Sequence, residues 1–294
     1  MTANDEHAHR GTILLEEAEI LQTTTHQGAQ TSMRLRAPEI AARCAPGVFV
    51  HLRCAPTLSM RRPMSVMRVS PREGTLDILF KTHGIGTAAL AKRSIGETLS
   101  MLGPIGRPFK LAGFRSHPLL IGGGVGIPPM IYLAEHLRQL TGVQPFVLMG
   151  SEVPFPFSPR PSQIIVPGLP NAVIAAMPLL EDWGIASRLS SLQGYAGCYE
   201  GFVTDLAAYW IEHSGAPSDG LEIFACGPTP MLKAVQRVAA KYAIPAQISL
   251  EEYMACAVGG CAGCVVRVET PLGPAMKRVC VDGPVFDARH VSLP

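Results

Sequence analysis

Three closely spaced cysteines near the C-terminus constrain this chain more than any other feature. Residues 256–264 read CAVGGCAGC, and another cysteine follows at position 280. This is the C-x4-C-x2-C…C spacing with which four thiolates hold a 2Fe–2S cluster. The small residues between the cysteines let the backbone wrap tightly around such a cluster and direct N–H groups at its sulfur atoms. The predicted ligands are Cys256, Cys261, Cys264 and Cys280.

Two other interpretations of these cysteines stay open, namely a structural zinc site and ordinary buried cysteines. Structural zinc usually takes its ligands as two short pairs, whereas Cys280 stands alone. Scattered core cysteines would not place three within nine residues. A disulfide framework is disfavoured, because no secretory signal precedes the chain and a chain of this length does not need crosslinks. Zinc, in a binding module without a redox role, is the competing metal hypothesis.

The overall composition is that of a soluble globular protein with two or three domains. The chain has 294 residues, of which 47% are hydrophobic, and a net charge of +2. So weak a positive charge argues against nucleic acid as a partner. The N-terminus is polar and acidic, unlike a secretory signal. The most apolar stretch, residues 118–134, is interrupted by glycines and prolines, so we expect no membrane span and a cytoplasmic location.

The first part of the chain favours a small antiparallel barrel, because short β-type runs alternate with turns. The predicted strands are Thr12–Ile20, Met33–Leu35, Val48–Leu52, Ser65–Val69, Thr75–Phe80 and Thr98–Leu102, with helical insertions at Ala37–Ala42 and Gly86–Lys92.

From Pro118 onward strands and helices alternate, which implies a parallel sheet. The predicted strands are Pro118–Ile121, Val143–Gly150, Asn171–Met177 and Leu221–Ala225, and the helices are Met130–Leu140, Val203–Ile211 and Pro230–Tyr242. The Pro-rich segment 151–170 has no assignment beyond loop. We therefore expect a multidomain β plus α/β fold, with the barrel over residues 1–113, the α/β domain over 114–245 and a small cluster domain over 246–294.

The first chemical motif is Arg62-Pro63-Met64-Ser65 at the start of a barrel strand. An arginine fork pairs well with a pyrophosphate, and the proline fixes the chain so that the following backbone can face a flat ring. Alone, the tetrapeptide could be a surface turn. The interpretation as a binding motif is stronger when the tetrapeptide is read together with Leu79-Phe80-Lys81 and with a predicted helix start at Gly86 and Thr87. N–H groups and a hydroxyl at a helix start can bind phosphate.

The second motif is a glycine-rich turn, GGGVGIPP at residues 122–129, between a buried strand and a helix. A dinucleotide pyrophosphate can lie on such a turn, because glycine lets the backbone approach closely and the helix N-terminus favours anions. The candidate contacts are Gly122, Gly123, Gly124, Gly126 and Pro128. A purely structural turn is the alternative. Glu152, after the next strand, is either a ribose ligand that favours NAD over NADP or a solvated loop residue.

The third motif is CGPTPM at residues 226–231, again between a strand and a helix. Such a turn places the Cys226 thiol and backbone amides in the crevice where a nicotinamide would meet a flavin, so Cys226 is the candidate catalytic residue. The alternative is a buried cysteine before a proline-capped helix.

Together, the sequences RPMS, GGGVGIPP, GFVTDL and CGPTPM resemble the ferredoxin–NADP reductase superfamily. The C-terminal part of the sequence makes this resemblance more specific. The sequences SLEEYMACAVGGCAGCVV and KRVCVDGPVF are similar to the electron transfer subunits of NAD-dependent dihydroorotate dehydrogenases. The resemblance covers nearly the whole chain.

The resemblance implies FAD in the barrel, NAD at the α/β domain and a 2Fe–2S cluster that faces a catalytic flavoprotein partner in a hetero-oligomer. In pyrimidine synthesis, that partner would oxidise dihydroorotate and this chain would pass the electrons to NAD. The FAD contacts would be Arg62, Pro63, Met64, Ser65, Leu79, Phe80, Lys81, Gly86 and Thr87.

Three departures from the family pattern leave the partner open. Lys81 stands where arginine is usual, Val48 stands where glutamine is usual, and the segment 151–200 is longer than expected. The alternative is therefore a reductase subunit of a sulfide dehydrogenase, a hydrogenase or a transhydrogenase.

Overall fold

The computed structural model describes residues 11–293. Residues 1–10, which hold most of the polar N-terminus, lie outside the described residues. The first part of the chain forms six antiparallel strands that close into a barrel in the order β1-β2-β5-β4-β3-β6. The elements are β1 (Leu14–His26), β2 (Gln30–Arg36), α1 (Pro38–Ala41), β3 (Phe49–Leu52), β4 (Arg62–Ser70), β5 (Thr75–Lys81), α2 (Gly84–Leu90) and β6 (Thr98–Ile105).

The barrel closes because inward-facing positions on its strands are apolar. Ala18 and Ile20 of β1, Leu35 of β2 and Ile78 of β5 are fully buried in one apolar cluster. Along β1 and β2, residues between these positions reach the surface, so that side chains alternate between core and solvent. The predicted antiparallel barrel is thus confirmed.

The rest of the chain is built on a six-stranded sheet with helices around it. Its elements are β7 (His117–Gly123), α3 (Ile127–Leu137), β8 (Phe146–Gly150), β9 (Arg160–Pro161), β10 (Ala175–Ala176), α4 (Pro178–Asp182), β11 (Ala186–Ser190), α5 (Val203–His213), β12 (Leu221–Cys226), α6 (Thr229–Lys241), β13 (Ala246–Ser249), β14 (Val265–Thr270), β15 (Gly273–Arg278), β16 (Val285–Asp287) and β17 (Val291–Ser292). The sheet runs β11-β8-β7-β12-β13-β16, parallel except for β16, and β14, β15 and β17 form a small separate sheet.

The structure departs from the predicted sheet at two strands. The segment 171–177 is apolar, but only Ala175–Ala176 pairs, and it pairs with β9 outside the main sheet. The strand beside β8 is instead β11, whose sequence ASRLS gave no apolar signal. Its buried Arg188 donates hydrogen bonds to the carbonyls of Val173 and Ile164, and so anchors the Pro-rich segment.

The predicted boundary of the cluster domain falls at a strand of the main sheet. β13 starts at residue 246, which the prediction gave to the cluster domain, yet it pairs with β12. β16 then pairs with β13. The cluster segment thus leaves the sheet after β13 and returns to it at β16.

The three parts of the chain pack against one another. Arg68 of β4 forms an ion pair of 2.6 Å with Glu135 of α3. Phe49 and Ile105 of the barrel share an apolar cluster with Met254, which lies just before the first cluster cysteine. The barrel therefore contacts both the sheet domain and the cluster segment. No helix among the described residues is long and apolar enough to cross a membrane.

Candidate functional site

The two motifs predicted to bind flavin meet at the start of β4. A Cβ built on Gly86 would lie 2.7 Å from Nε of Arg62, so the guanidinium rests directly on this glycine. Arg62 also donates hydrogen bonds of 3.0 Å to the carbonyls of Met60 and Arg61, which hold its fork in place. Residues distant in sequence thus form one cationic corner beside the N-terminus of α2.

The other predicted flavin contacts are of two kinds. Some side chains are exposed and can bind a ligand, and others are buried or hydrogen-bonded within the protein. Met64 and Phe80 are nearly buried in the barrel core, so they can offer only their backbone to a ligand. The Thr87 hydroxyl accepts from His83 N (2.6 Å) and donates to the His83 carbonyl (2.7 Å), which closes the turn into α2. Lys81 ends β5 exposed, and so offers a mobile positive charge.

The two turns predicted to bind nucleotide are packed directly against each other. Cys226 at the end of β12 is in register with Gly122 of β7. A Cβ on Gly126 would lie 2.2 Å from the Cys226 carbonyl oxygen and 2.5 Å from Gly227 N. Only glycine allows this approach of the two backbones.

This contact lies where an α/β sheet binds its ligand. From β7 the chain crosses through α3 to β8 on one side, whereas β12 lies on the other side of β7. Strand order therefore reverses between β7 and β12, and ligands bind outside the carboxyl ends of strands at such a point. Gly122, Gly123 and Cys226 all lie at these ends.

Cys226 itself is buried and protonated. Burial, reinforced by the nearby Glu251 carboxylate, raises the pKa of its thiol well above the usual value, although Ser249 and the Gly227 backbone oppose the shift. The thiol is therefore neutral at physiological pH. It can pack against a ring or donate a weak hydrogen bond, but it is not a nucleophile.

Glu251 is a site residue that the sequence prediction missed. Its side chain reaches solvent, yet the surrounding protein desolvates the carboxyl and raises its pKa to about 7. Its charge also acts on Cys226, so the carboxyl lies near the end of β12. The available signal was a pair of glutamates, Glu251 and Glu252, which begins one residue after the end of β13.

Glu152 lies at the same edge of the sheet. It is exposed two residues after the end of β8, and Gly150 at that end is in register with Gly123 of the glycine turn. No ion pair of the described residues involves its carboxylate. It is therefore available to a ligand on that turn.

The four predicted cluster ligands come together around the loop 256–264. The backbone of this loop takes positive φ at Ala257 (57°), Gly259 (81°) and Ala262 (53°). Cys261 N lies 3.4 Å from Sγ of Cys256, and the Sγ atoms of Cys264 and Cys280 are also 3.4 Å apart.

Local electrostatics distinguish the thiols. Burial raises the pKa of Cys256, but hydrogen bonds from the backbone of Val258, Cys261 and Gly260 outweigh it, and the pKa falls to about 7. Burial and the adjacent Cys264 raise the pKa of Cys280 to about 12. The predicted N–H groups thus do point at sulfur.

The donor set fits a binuclear cluster. The thiols form two pairs, Cys256 with Cys261 and Cys264 with Cys280. Each iron of a 2Fe–2S cluster takes two thiolates, so two pairs are what such a cluster requires.

Comparison with known proteins places this geometry in a family. The model of the iron–sulfur cluster binding domain of dihydroorotate dehydrogenase B matches residues 251–292. The electron transfer subunit of dihydroorotate dehydrogenase B (NAD(+)) from Geobacillus sp. (strain WCH70) is 34% identical over 253 residues, which are 85% of this chain and 87% of the relative. The chain belongs to this family of electron transfer subunits. Its relative from Desulforamulus reducens is 30% identical over 261 residues, 88% of this chain and 91% of that protein.

Solved structures agree with the fold. One solved structure is that of an NADH-dependent reduced ferredoxin–NADP oxidoreductase, described for flavin-based electron bifurcation. It superposes on this chain with a TM-score of 0.75 at 25% identity, and the superposition covers 94% of this chain and 90% of that one. A ferredoxin reductase of carbazole 1,9a-dioxygenase has a TM-score of 0.62 at 20% identity, covers 79% of this chain and 67% of its own, and shows the fold alone. The predicted family, fold class and class of electron-transferring oxidoreductase are confirmed, and the iron–sulfur domain match contradicts the zinc module.

Proposed function

We propose that this chain relays electrons between a catalytic dihydroorotate dehydrogenase subunit and NAD, in the pyrimidine synthesis of the cytoplasm. It carries FAD and a 2Fe–2S cluster, and it acts in a hetero-oligomer with the catalytic subunit. The names of its relatives and the iron–sulfur domain match support this assignment.

The observation that carries the proposal is that the segment before the cysteine loop shares an apolar cluster with Phe49, which pairs with Ser65 of the flavin motif. The Arg62 corner, the Cys226 crevice and the cysteine loop lie on three packed parts of the chain. Phe49 on β3 and Met254 before the cysteine loop share one apolar cluster. Cofactors held at these sites would be separated by little protein.

FAD supplies the conversion between one-electron and two-electron transfer, because nicotinamide takes two electrons at once whereas the cluster takes one. The residues of the chain bind and orient the cofactors. Arg62 and Lys81 would balance the charge of the FAD phosphates, and the strand backbone from Pro63 to Ser65 would hold its ring.

At the nucleotide crevice, the glycine turn accommodates the NAD pyrophosphate and Glu152 accepts hydrogen bonds from the adenosine ribose. The neutral Cys226 thiol bounds the nicotinamide pocket. The carboxyl of Glu251, whose pKa lies near neutrality, can hold or release a proton at this crevice.

The decisive experiment is an anaerobic absorption titration of the purified chain with NADH. Flavin bands near 450 nm and a broad cluster band at longer wavelength should both bleach. The isolated chain should not oxidise dihydroorotate, and adding the catalytic subunit should restore dihydroorotate-dependent NADH formation. If the chain alone oxidised dihydroorotate, or bound neither flavin nor iron after reconstitution, the proposal would be wrong.

A second candidate is a reductase subunit with a different redox partner. The 94% coverage of this chain by the bifurcating oxidoreductase structure favours it. Purification of the tagged chain from its native host separates the two, because only the dihydroorotate dehydrogenase subunit would confer dihydroorotate-dependent reduction of the flavin.

A further inference from the structure

Strand β4 departs from regular strand alternation just after the flavin motif. Val66 is buried in the barrel core, and Val69 packs against the same apolar cluster. The pairing with β5 shifts between Val66 and Arg68, which leaves Met67 as an extra residue in a β-bulge. In a regular strand Arg68 would follow Val66 onto the core side. Bulges re-aim side chains and are common next to active sites.

The two residues at this bulge contact the sheet domain. Met67 packs against the apolar cluster that includes Met130 of α3. Arg68 donates from Nη2 to Oε1 of Glu135 (2.6 Å) and from Nε to Oε2 (3.3 Å), so both ends of the guanidinium bind one carboxylate of α3. A forked pair of this kind fixes orientation as well as distance.

The helix α3 contacts the barrel a second time, one turn earlier. Tyr132 lies three residues before Glu135, so the two side chains share one face of the helix. The Tyr132 ring belongs to the barrel core cluster, and its hydroxyl donates a 3.0 Å hydrogen bond to the Cys44 carbonyl before β3. Because α3 begins directly after the glycine turn, these contacts attach the nucleotide turn to the barrel.

Arg68 also contacts the segment after α4. Its Cζ lies 5.1 Å from the ring centre of Trp183, and Cζ of Arg138, at the end of α3, lies 4.8 Å from the same ring. The face of an indole ring attracts cations. The guanidinium of Arg68 is therefore held by two separate elements of the sheet domain.

Stability alone does not explain this arrangement. The side chains of Arg68 and Glu135 are 33% and 17% exposed, and an ion pair that solvent reaches contributes little to stability. What the fork adds is geometry. Arg68 lies on the same strand as the flavin motif, three residues after Ser65, and Glu135 lies on the helix that follows the nucleotide turn.

We propose that Arg68 and Glu135 are positioning residues that set the distance between the flavin strand and the nucleotide turn. This inference rests on the proposed relay function. The step that they assist transfers a hydride between nicotinamide and flavin, in which NADH loses two electrons with one proton and the flavin gains them. Arg68 and Glu135 exchange neither protons nor electrons and break no bond.

The test compares Arg68→Met with a matched control, Arg34→Met, both purified anaerobically with FAD and cluster. Methionine keeps an unbranched apolar stem and removes the guanidinium. Arg34 forms an equally close fork with Asp77, at 2.7 and 2.8 Å, but between the neighbouring barrel strands β2 and β5. A third variant, Arg68→Lys, keeps the charge and loses the fork.

Two measurements separate positioning from stability. Stopped-flow absorbance gives the limiting rate of flavin reduction at saturating NADH, and the NADH concentration that gives half this rate. Acrylamide quenching of tryptophan fluorescence reports mainly on Trp183, because the only other tryptophan, Trp210, is buried.

In Arg68→Met, we expect the limiting rate to fall about tenfold, since small misplacements of reacting groups have effects of this order or larger. The half-saturating NADH concentration should stay unchanged, because the glycine turn itself is intact. Quenching should increase, because Trp183 loses a guanidinium that covers its ring. Arg68→Lys should give an intermediate rate, and Arg34→Met should match the wild type in rate and quenching.

Two results would overturn the inference. Arg68→Met could reduce its flavin at the wild-type limiting rate, or Arg34→Met could be slowed as much, as expected if the loss of any barrel ion pair sufficed. Should Arg68→Met fail to fold, Arg68→Lys decides, and a wild-type rate in that variant refutes the role of the fork. A wild-type chain whose flavin is not reduced by NADH refutes the proposed function instead, so the two failures are distinguishable.

Discussion

Replacing Gly126 with alanine tests whether the close contact of the two nucleotide turns is essential. Gly126 has an ordinary φ of −82°, so alanine adds no backbone strain there. The new Cβ would lie 2.2 Å from the Cys226 oxygen and 2.3 Å from its carbonyl carbon, whereas nonbonded heavy atoms pack well at about 3.5 Å. Both partners are backbone, Gly126 in the turn before α3 and Cys226 at the end of β12, so this turn and β12 must move apart.

Overpacking of this kind costs about 1–3 kcal/mol, and a clash between rigid backbones belongs at the upper end. We expect a loss of about 3 kcal/mol in unfolding free energy, or roughly 6–12 °C in the melting temperature of the sheet domain. Urea unfolding followed by circular dichroism measures the first, and NADH-driven flavin reduction should slow because the crevice is distorted.

Gly124→Ala is the matched control in the same turn. Gly124 has φ +53° and nothing within 4 Å of a built Cβ, so alanine there meets strain but no clash. That strain costs about 1–2 kcal/mol. Equal destabilisation by the two variants, or a Gly126→Ala protein within about 0.5 kcal/mol of wild type, would refute the steric argument.

Three further predictions address the cofactors and the cleft. Cys261→Ser removes one of four iron ligands, so iron content and long-wavelength absorption should be lost while flavin absorption stays. Glu152→Ala removes the proposed ribose acceptor and should raise the NADPH-to-NADH ratio of kcat/KM by about tenfold, on the order of one lost hydrogen bond to a charged group; an unchanged ratio would contradict that role. Glu251 has a folded pKa raised to about 7, so the folded state binds more protons than the unfolded one between the ordinary glutamate pKa and 7. Stability should therefore fall as pH rises through this window, and Glu251→Gln should flatten the profile measured by thermal unfolding.

The sequence was most informative where local pattern and tertiary packing agree. Strands β3 and β5 were placed within one residue at each end, because apolar residues between turn signals match their burial in the barrel. The cysteine loop was located from spacing alone, since the chemistry of the ligand set fixes it.

Sequence reasoning failed where long-range contacts override local composition. β11 reads ASRLS, and its polar residues are buried because Arg188 bonds to loop carbonyls that are far away in sequence. Glu251 was missed for a related reason. It lies within the sequence SLEEYM, but only its position near Cys226 gives the carboxyl unusual surroundings.

The attachment of the cluster segment to the sheet has a consequence for how this protein could be rebuilt. Ser249, the last residue of β13, is the cross-strand partner of Val285, the first residue of β16. Residues 250–284 are therefore, in topological terms, a single enlarged hairpin loop. A short turn that joined the two strands in its place would leave a reductase without iron, and it would also remove β14, the strand with which β17 pairs.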